Sequence, residues 1–154
     1  MVRGLLREMS IAIAKEEELS LQCLWQHYLL QGTAWEMLGS TLMQLAINEW
    51  MRVEIITGIL ECLGELPLKK REICLTEKTD DPQEMLRWDR DRLDEIIVSY
   101  KDILALAQKE ENCMVREAFE EFLADEEEHR TMLGALLVTP ATGGFPDDNP
   151  PREE

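Results

Sequence analysis

Apolar residues recur along this chain at alternating steps of three and four, the seam pattern of helices packed side by side in a bundle. The clearest stretch runs from about Asn112 to Leu137. It places Val115, Phe119, Phe122, Leu133 and Leu136 on one stripe. Continuing the steps from Phe122 lands on Glu126 and then His129 before the apolar stripe resumes. A third stretch opens at Asp81, a good N-cap, followed by Pro82 at the first helical position and Glu84 in the first turn. It is expected to end near Lys109, with Leu86, Arg90, Leu93, Ile97, Tyr100, Leu104 and Ala107 on its seam.

The two remaining helices precede these. The first is predicted over Arg3 to Gln31, ending near Gly32. Its seam is read as Ile11, Ala14, Glu18, Leu21, Trp25 and Tyr28, with Lys15, Glu16 and Glu17 off it. The second is predicted from Glu36 to Leu63, with Gly64 just past its end. Its seam is Leu42, Leu45, Glu49, Arg52, Ile56, Ile59 and Leu63. The short break between them makes the first two helices antiparallel neighbours. Gly64 to Asp80 contains Pro67 and two polar runs and cannot continue the helix. It is long enough to cross the bundle from end to end, with Ile73, Cys74 and Leu75 as its anchors. After Val138 the prolines at 140, 146, 150 and 151 forbid a helix. The expected organisation is all-α: a four-helix bundle over residues 1–138 and an extended or disordered tail over 139–154.

Composition narrows the function classes. With 154 residues, 45% of them hydrophobic, the chain can bury one sizeable core. Sixteen Lys and Arg against 32 Asp and Glu give a formal charge of −16, which argues against a nucleic-acid or anionic-membrane surface. No apolar run reaches the length of a membrane span, and no h-region of a signal peptide is present, so a cytoplasmic location is expected. Cys23, Cys62, Cys74 and Cys113 form no Cys-x-x-Cys pair, which excludes a zinc ribbon and points to free, buried thiols.

The candidate chemistry lies in the middle of the stripes, where Glu18, Glu49, Arg52, Arg90, Glu126 and His129 interrupt apolar seams. Buried charge is costly unless it is paired or binds metal. Glu-x-x-His on an inward helix face is the way di-iron carboxylate bundles present ligands.

With these motifs in place the chain resembles bacterioferritin, within the ferritin-like superfamily, up to about Val138. Asp125 to His129 matches the fourth-helix ligand motif. Asn48-Glu49-Trp50-Met51-Arg52 is similar to the second-helix Glu-x-x-His motif, Glu18-Leu19 with Trp25 to the first-helix ligand region, and Gly64-Glu65-Leu66-Pro67 to the turn closing the second helix. The resemblance implies a ferritin-like antiparallel bundle with one long crossover, and iron-binding or iron-storage work. It implies metal ligands at Glu18, Glu49, Glu126 and His129. Arg52 stands where a histidine is expected and Leu93 where a bridging glutamate is expected. The ferroxidase centre is therefore incomplete, with Arg52 pairing with Glu18 or Glu126 and filling metal volume. A single-iron site on Glu126, His129 and either Glu49 or Glu18 remains open. The family's haem-binding methionine follows the second-helix glutamate; here Trp50 takes that place, and Met51 is the candidate one residue later. A dimer through the first two helices is the minimum assembly, extending to a cage or to a hetero-oligomer with a ferroxidase-competent subunit. Two alternatives stand beside this: a small di-iron oxidoreductase of the rubrerythrin type, and a non-catalytic structural bundle.

Overall fold

A computed structural model describes residues 3–67, 73–75 and 79–138. The tail expected over 139–154 lies outside the described residues. Four helices form among the described residues: α1 over Arg3–Leu30, α2 over Glu36–Cys62, α3 over Pro82–Lys109 and α4 over Cys113–Val138. There is no strand among the described residues.

The helix ends follow the local chemistry. Gly64 takes a left-handed φ of 82° just beyond α2. The Gly64 and Glu65 amides bond back to the carbonyls of Glu61 and Leu60, closing the last turn as a Schellman motif does. At the start of α3 the Asp81 carboxylate accepts from the Gln83 amide at 2.8 Å, with Pro82 behind it. Asn112 plays the same part for α4, accepting from the Val115 amide at 3.1 Å.

Cross-helix bonds fix the directions. Ser20 reaches the Ala46 carbonyl and His27 Nδ1 the Gly39 carbonyl, so α1 and α2 are antiparallel. Glu16 meets Tyr100 and Gln26 meets Asp89, so α1 and α3 are antiparallel too. It follows that α2 and α3 run parallel. The chain between them must return the length of a 27-residue helix, about 40 Å. This is the long crossover. Its anchor is polar: the Cys74 amide donates to Glu18 Oε2 at 3.1 Å, while the side chains of Ile73, Cys74 and Leu75 stay exposed.

The inner stripe of α1 differs from the sequence expectation. Among its buried positions, Leu5, Met9, Ala12, Glu16, Leu19, Cys23, Gln26 and Leu30 form an unbroken four-three alternation, flanked by buried Ser10, Ile13, Glu17, Ser20 and Gln22. Trp25 and Tyr28, which dominate the expected stripe, are half exposed at 49% and 56%. Glu16 and Glu18 are two residues apart, about 200° around a helix, so the correction turns α1 almost to its opposite face. On α3 the expected seam residues Leu86, Leu93, Ile97, Tyr100 and Ala107 are buried, but at one position Asp89 is buried in place of Arg90, which turns outward against Asp91. The α2 and α4 stripes stand as read, from Leu42 to Ile56 and from Val115 to Leu133. Only Cys23 of the four free thiols is buried; Cys62, Cys74 and Cys113 are exposed, against the expectation for them.

α1 packs closely on α2 and on α3, and α3 on α4. α2 and α4 approach less closely, and long side chains bridge the gap between them. An edge-to-face cluster of Tyr100, Phe119 and Phe122, with centroids 5.1 and 5.2 Å apart, walls the core on the α3–α4 side of that gap.

Candidate metal centre

Each helix sends polar side chains into one layer of the core. α2 and α4 each contribute a pair three residues apart, which places both members on the same face: Glu49 with Arg52, and Glu126 with His129. α1 contributes Glu16 and α3 contributes Tyr100. Glu16, Glu49 and Glu126 are fully buried.

Glu49, Glu126 and His129 bring one ligand atom each to within 4.8 Å of one another. His129 Nδ1 lies 3.3 Å from Glu126 Oε2 and 3.0 Å from Glu49 Oε1, and only the Glu126 approach has hydrogen-bond alignment. Both Glu49 oxygens and Glu126 Oε1 are buried and receive no hydrogen bond from an N–H or hydroxyl; the Glu16 carboxyl faces Glu49, and Arg52 stands 3.6 Å from Glu126 Oε1. Buried carboxylate oxygens left bare cost several kcal/mol as a rule and call for a proton or a cation. Three carboxylates at close quarters cannot all ionise in an apolar core. Burial, then the neighbouring Glu49, hold Glu16 well above the ordinary carboxylate range, and the Tyr100 hydroxyl donates to its Oε1. Burial likewise pushes Glu49 up to about 8.

Arg52 closes the layer on the α2–α4 side. Its Nη2 donates to Asp125 Oδ2 at 2.8 Å and lies 3.6 Å from Glu126 Oε1, and the guanidinium stacks 4.3 Å above the Phe122 ring. Burial opposes its charge, but the Asp125 bond and the nearby Glu126 outweigh it, so Arg52 stays cationic. Glu126 thus faces the histidine with one oxygen and the arginine with the other. A cavity of about 390 Å³ opens beside them, lined by Asn48, Met51, Arg52, Phe122, Asp125 and His129 among others.

The residues expected from sequence divide. Glu49, Glu126 and His129 meet in the cluster. Glu18 does not: its carboxylate faces the Cys74 amide and Arg92, 3.6 Å away, and secures the crossover. The α1 carboxylate of this layer is Glu16. Arg52 does not pair with Glu18, which lies on the far side of α1; it stands near Glu126, and its principal partner is Asp125. Met51 is 55% exposed and lies outside the cluster. Leu93 is fully buried, so no α3 carboxylate joins the layer. Sequence reasoning missed Glu16, Tyr100 and Asp125. The signal for Glu16 was the four-three register running from Leu5 through Ala12 and Leu19 to Leu30.

A second polar group lies further along the core, between α1 and α3. Gln26 Nε2 donates to Asp89 Oδ1 at 2.9 Å, and the Cys23 thiol faces the same carboxyl. Burial raises Asp89 to about 8 against the pull of these two bonds, and burial with Asp89 beside it raises Cys23.

The sequence profile of the ferritin-like domain matches residues 8–141, which is most of the chain. No curated protein matches it significantly.

An acid held protonated in the fold to about pH 8 is released near pH 4 in the unfolded chain, so folding loses stability as pH rises between those values. The metal-free protein is expected to become less stable to urea from pH 5 to pH 8. Asp89→Asn should make that decline shallower; an unchanged slope would show that Asp89 carries none of it.

Proposed function

The chain belongs to the ferritin-like domain family, and from that premise we propose that it is a bacterioferritin-like iron-binding subunit holding one ion on Glu49, Glu126 and His129. The observation that carries this reading is the convergence of the buried Glu49 and Glu126 carboxylates on the His129 imidazole, with one ligand atom of each within 4.8 Å of the others. Two carboxylates and one histidine form a donor set suited to a first-row divalent ion such as ferrous iron, with open positions left over. The residues fit one ion and do not fit two. On the far side of Glu126, where a second ion would be held, stands the Arg52 guanidinium, and α3 supplies Leu93. Charge leads to the same conclusion. Once Glu49 has given up its proton, and with Glu16 protonated, Glu49, Glu126 and Asp125 against Arg52 leave a deficit that one divalent cation neutralises.

Bound iron would supply ferrous–ferric redox chemistry at this layer. The protein's own part is to position and to exchange protons. Tyr100 holds Glu16 in place, Glu49 gives up its proton when a cation arrives, and the α2–α4 cavity is the route by which water and ions reach His129. Full ferroxidase turnover would then need a partner subunit with the complete site.

The family typically oligomerises, and the outer face of α1 and α2 supports docking of a second copy. Trp25, Tyr28, Ile47, Trp50 and Met51 are between 44% and 56% exposed there. An apolar groove of about 360 Å³ runs between Leu21, Leu24, Met43, Ile47, Trp50 and Met51. Aromatic and methionine side chains on an otherwise acidic chain mark an interface core. Met51 lines this groove and would be the residue to hold a haem if two copies shared one there.

Anaerobic ferrous titration should give one tightly held ion per chain, lost in His129→Ala and unaffected in Glu18→Ala. Affinity should rise with pH through about 8, because the ion competes with the Glu49 proton. Two tightly held ions in the parent would overturn the reading.

Restoring the missing ligands is a separate test. Arg52→His together with Leu93→Glu should add a second ion and rapid ferrous oxidation. A parent that oxidises iron equally fast would show that Arg52 does not block the centre.

For assembly, light scattering should report at least a dimer, and Trp50→Glu should yield monomers with unchanged helicity. A monomeric parent would refute the α1–α2 interface.

A further inference from the structure

We propose that Asp125 is the residue that admits metal to this site, by holding the Arg52 guanidinium away from Glu126. The inference rests on the single-ion reading above. Arg52 lies between two carboxylates of unlike surroundings. Asp125, with 48% of its side chain exposed, takes the close contact at 2.8 Å, and fully buried Glu126 is 3.6 Å from the same Nη2. On desolvation alone the opposite is expected. A buried, unscreened carboxylate attracts a cation more strongly than a solvated one. Two features keep the guanidinium outward. Phe122 stacks under it at 4.3 Å, and Asp125 binds it from the mouth of the α2–α4 cavity.

The consequence for binding is electrostatic. Glu126 Oε2 faces His129, so a divalent ion on the triad would sit close to Arg52 and be repelled by it. Paired with Asp125, the guanidinium is neutralised and can retreat toward the cavity as Glu126 takes up the ion. Without Asp125 its remaining ion-pair partner among the described residues is Glu126, and it becomes a built-in competitor for the ligand. Asp125 is therefore a positioning residue that acts through Arg52 and not a ligand in its own right.

The test is a double-mutant cycle read by cobalt(II) binding under calorimetry and by the visible cobalt spectrum, using the full chain. Asp125→Asn should weaken cobalt(II) by about tenfold, within the usual range for coupled neighbouring groups. Asp125→Glu should retain most of the affinity. Arg52→Met should tighten binding, and in that background Asp125→Asn should have no further effect. Equal losses from Asp125→Asn in both backgrounds would overturn the proposal, since Asp125 would then act directly on the ion. No loss in the parent background would overturn it as well. Cobalt(II) binding that is indifferent to His129→Ala would instead refute the triad itself, and the proposal with it.

Discussion

Three carboxyl groups from three helices share one layer of an apolar core, and the rest of the structure accommodates them. Left ionised and unpaired, Glu16, Glu49 and Glu126 would repel one another in a medium that screens poorly. The fold answers with a proton on Glu16, the Tyr100 hydroxyl beside it, the His129 imidazole between Glu49 and Glu126, and Arg52 at the margin. Each answer uses a different helix. A layer of this kind ties all four helices to one register, because a slip of any helix would strand a buried charge. It also accounts for the wider α2–α4 spacing, where a guanidinium, a phenyl ring and an imidazole occupy the gap.

The metal-binding capacity proposed for this layer follows from the convergence of Glu49, Glu126 and His129. The proposed reading turns on two side chains, Arg52 and Leu93. Arginine in place of an imidazole brings a permanent charge that cannot be removed by deprotonation. Leucine in place of a carboxylate removes the donor that would join two ions. In the proposed reading these two side chains leave room for one ion beside an internal counter-cation, and they make Asp125, outside the ligand set, matter to the ligands inside.

Helix α1 shows how one element can serve two surfaces. Its inner stripe mixes Met9 and Leu19 with Glu16, Cys23 and Gln26, and its outer stripe carries Leu21, Trp25 and Tyr28. The outer stripe is the more hydrophobic in appearance. That inversion is expected of a helix whose core face holds polar chemistry and whose outer face is the one proposed to meet a second copy.

Local rules made much of this legible from residues alone. The number of helices, their ends at Gly64 and Asp81, the crossover, and the α2 and α4 seams follow from spacing and capping. Glu49, Glu126 and His129 could be placed on inward faces because they interrupt stripes that are otherwise apolar. The register of α1 could not be read in the same way. Both of its stripes obey the four-three rule, and periodicity cannot tell a face covered by the same chain from a face left for another. Only packing against α2 and α3 decided that Glu16 turns inward while Glu18 holds the crossover. The same is true of Asp89 over Arg90, and of Arg52 choosing Asp125 over its deeper neighbour. Those choices depend on distances between helices, which a one-dimensional pattern does not contain.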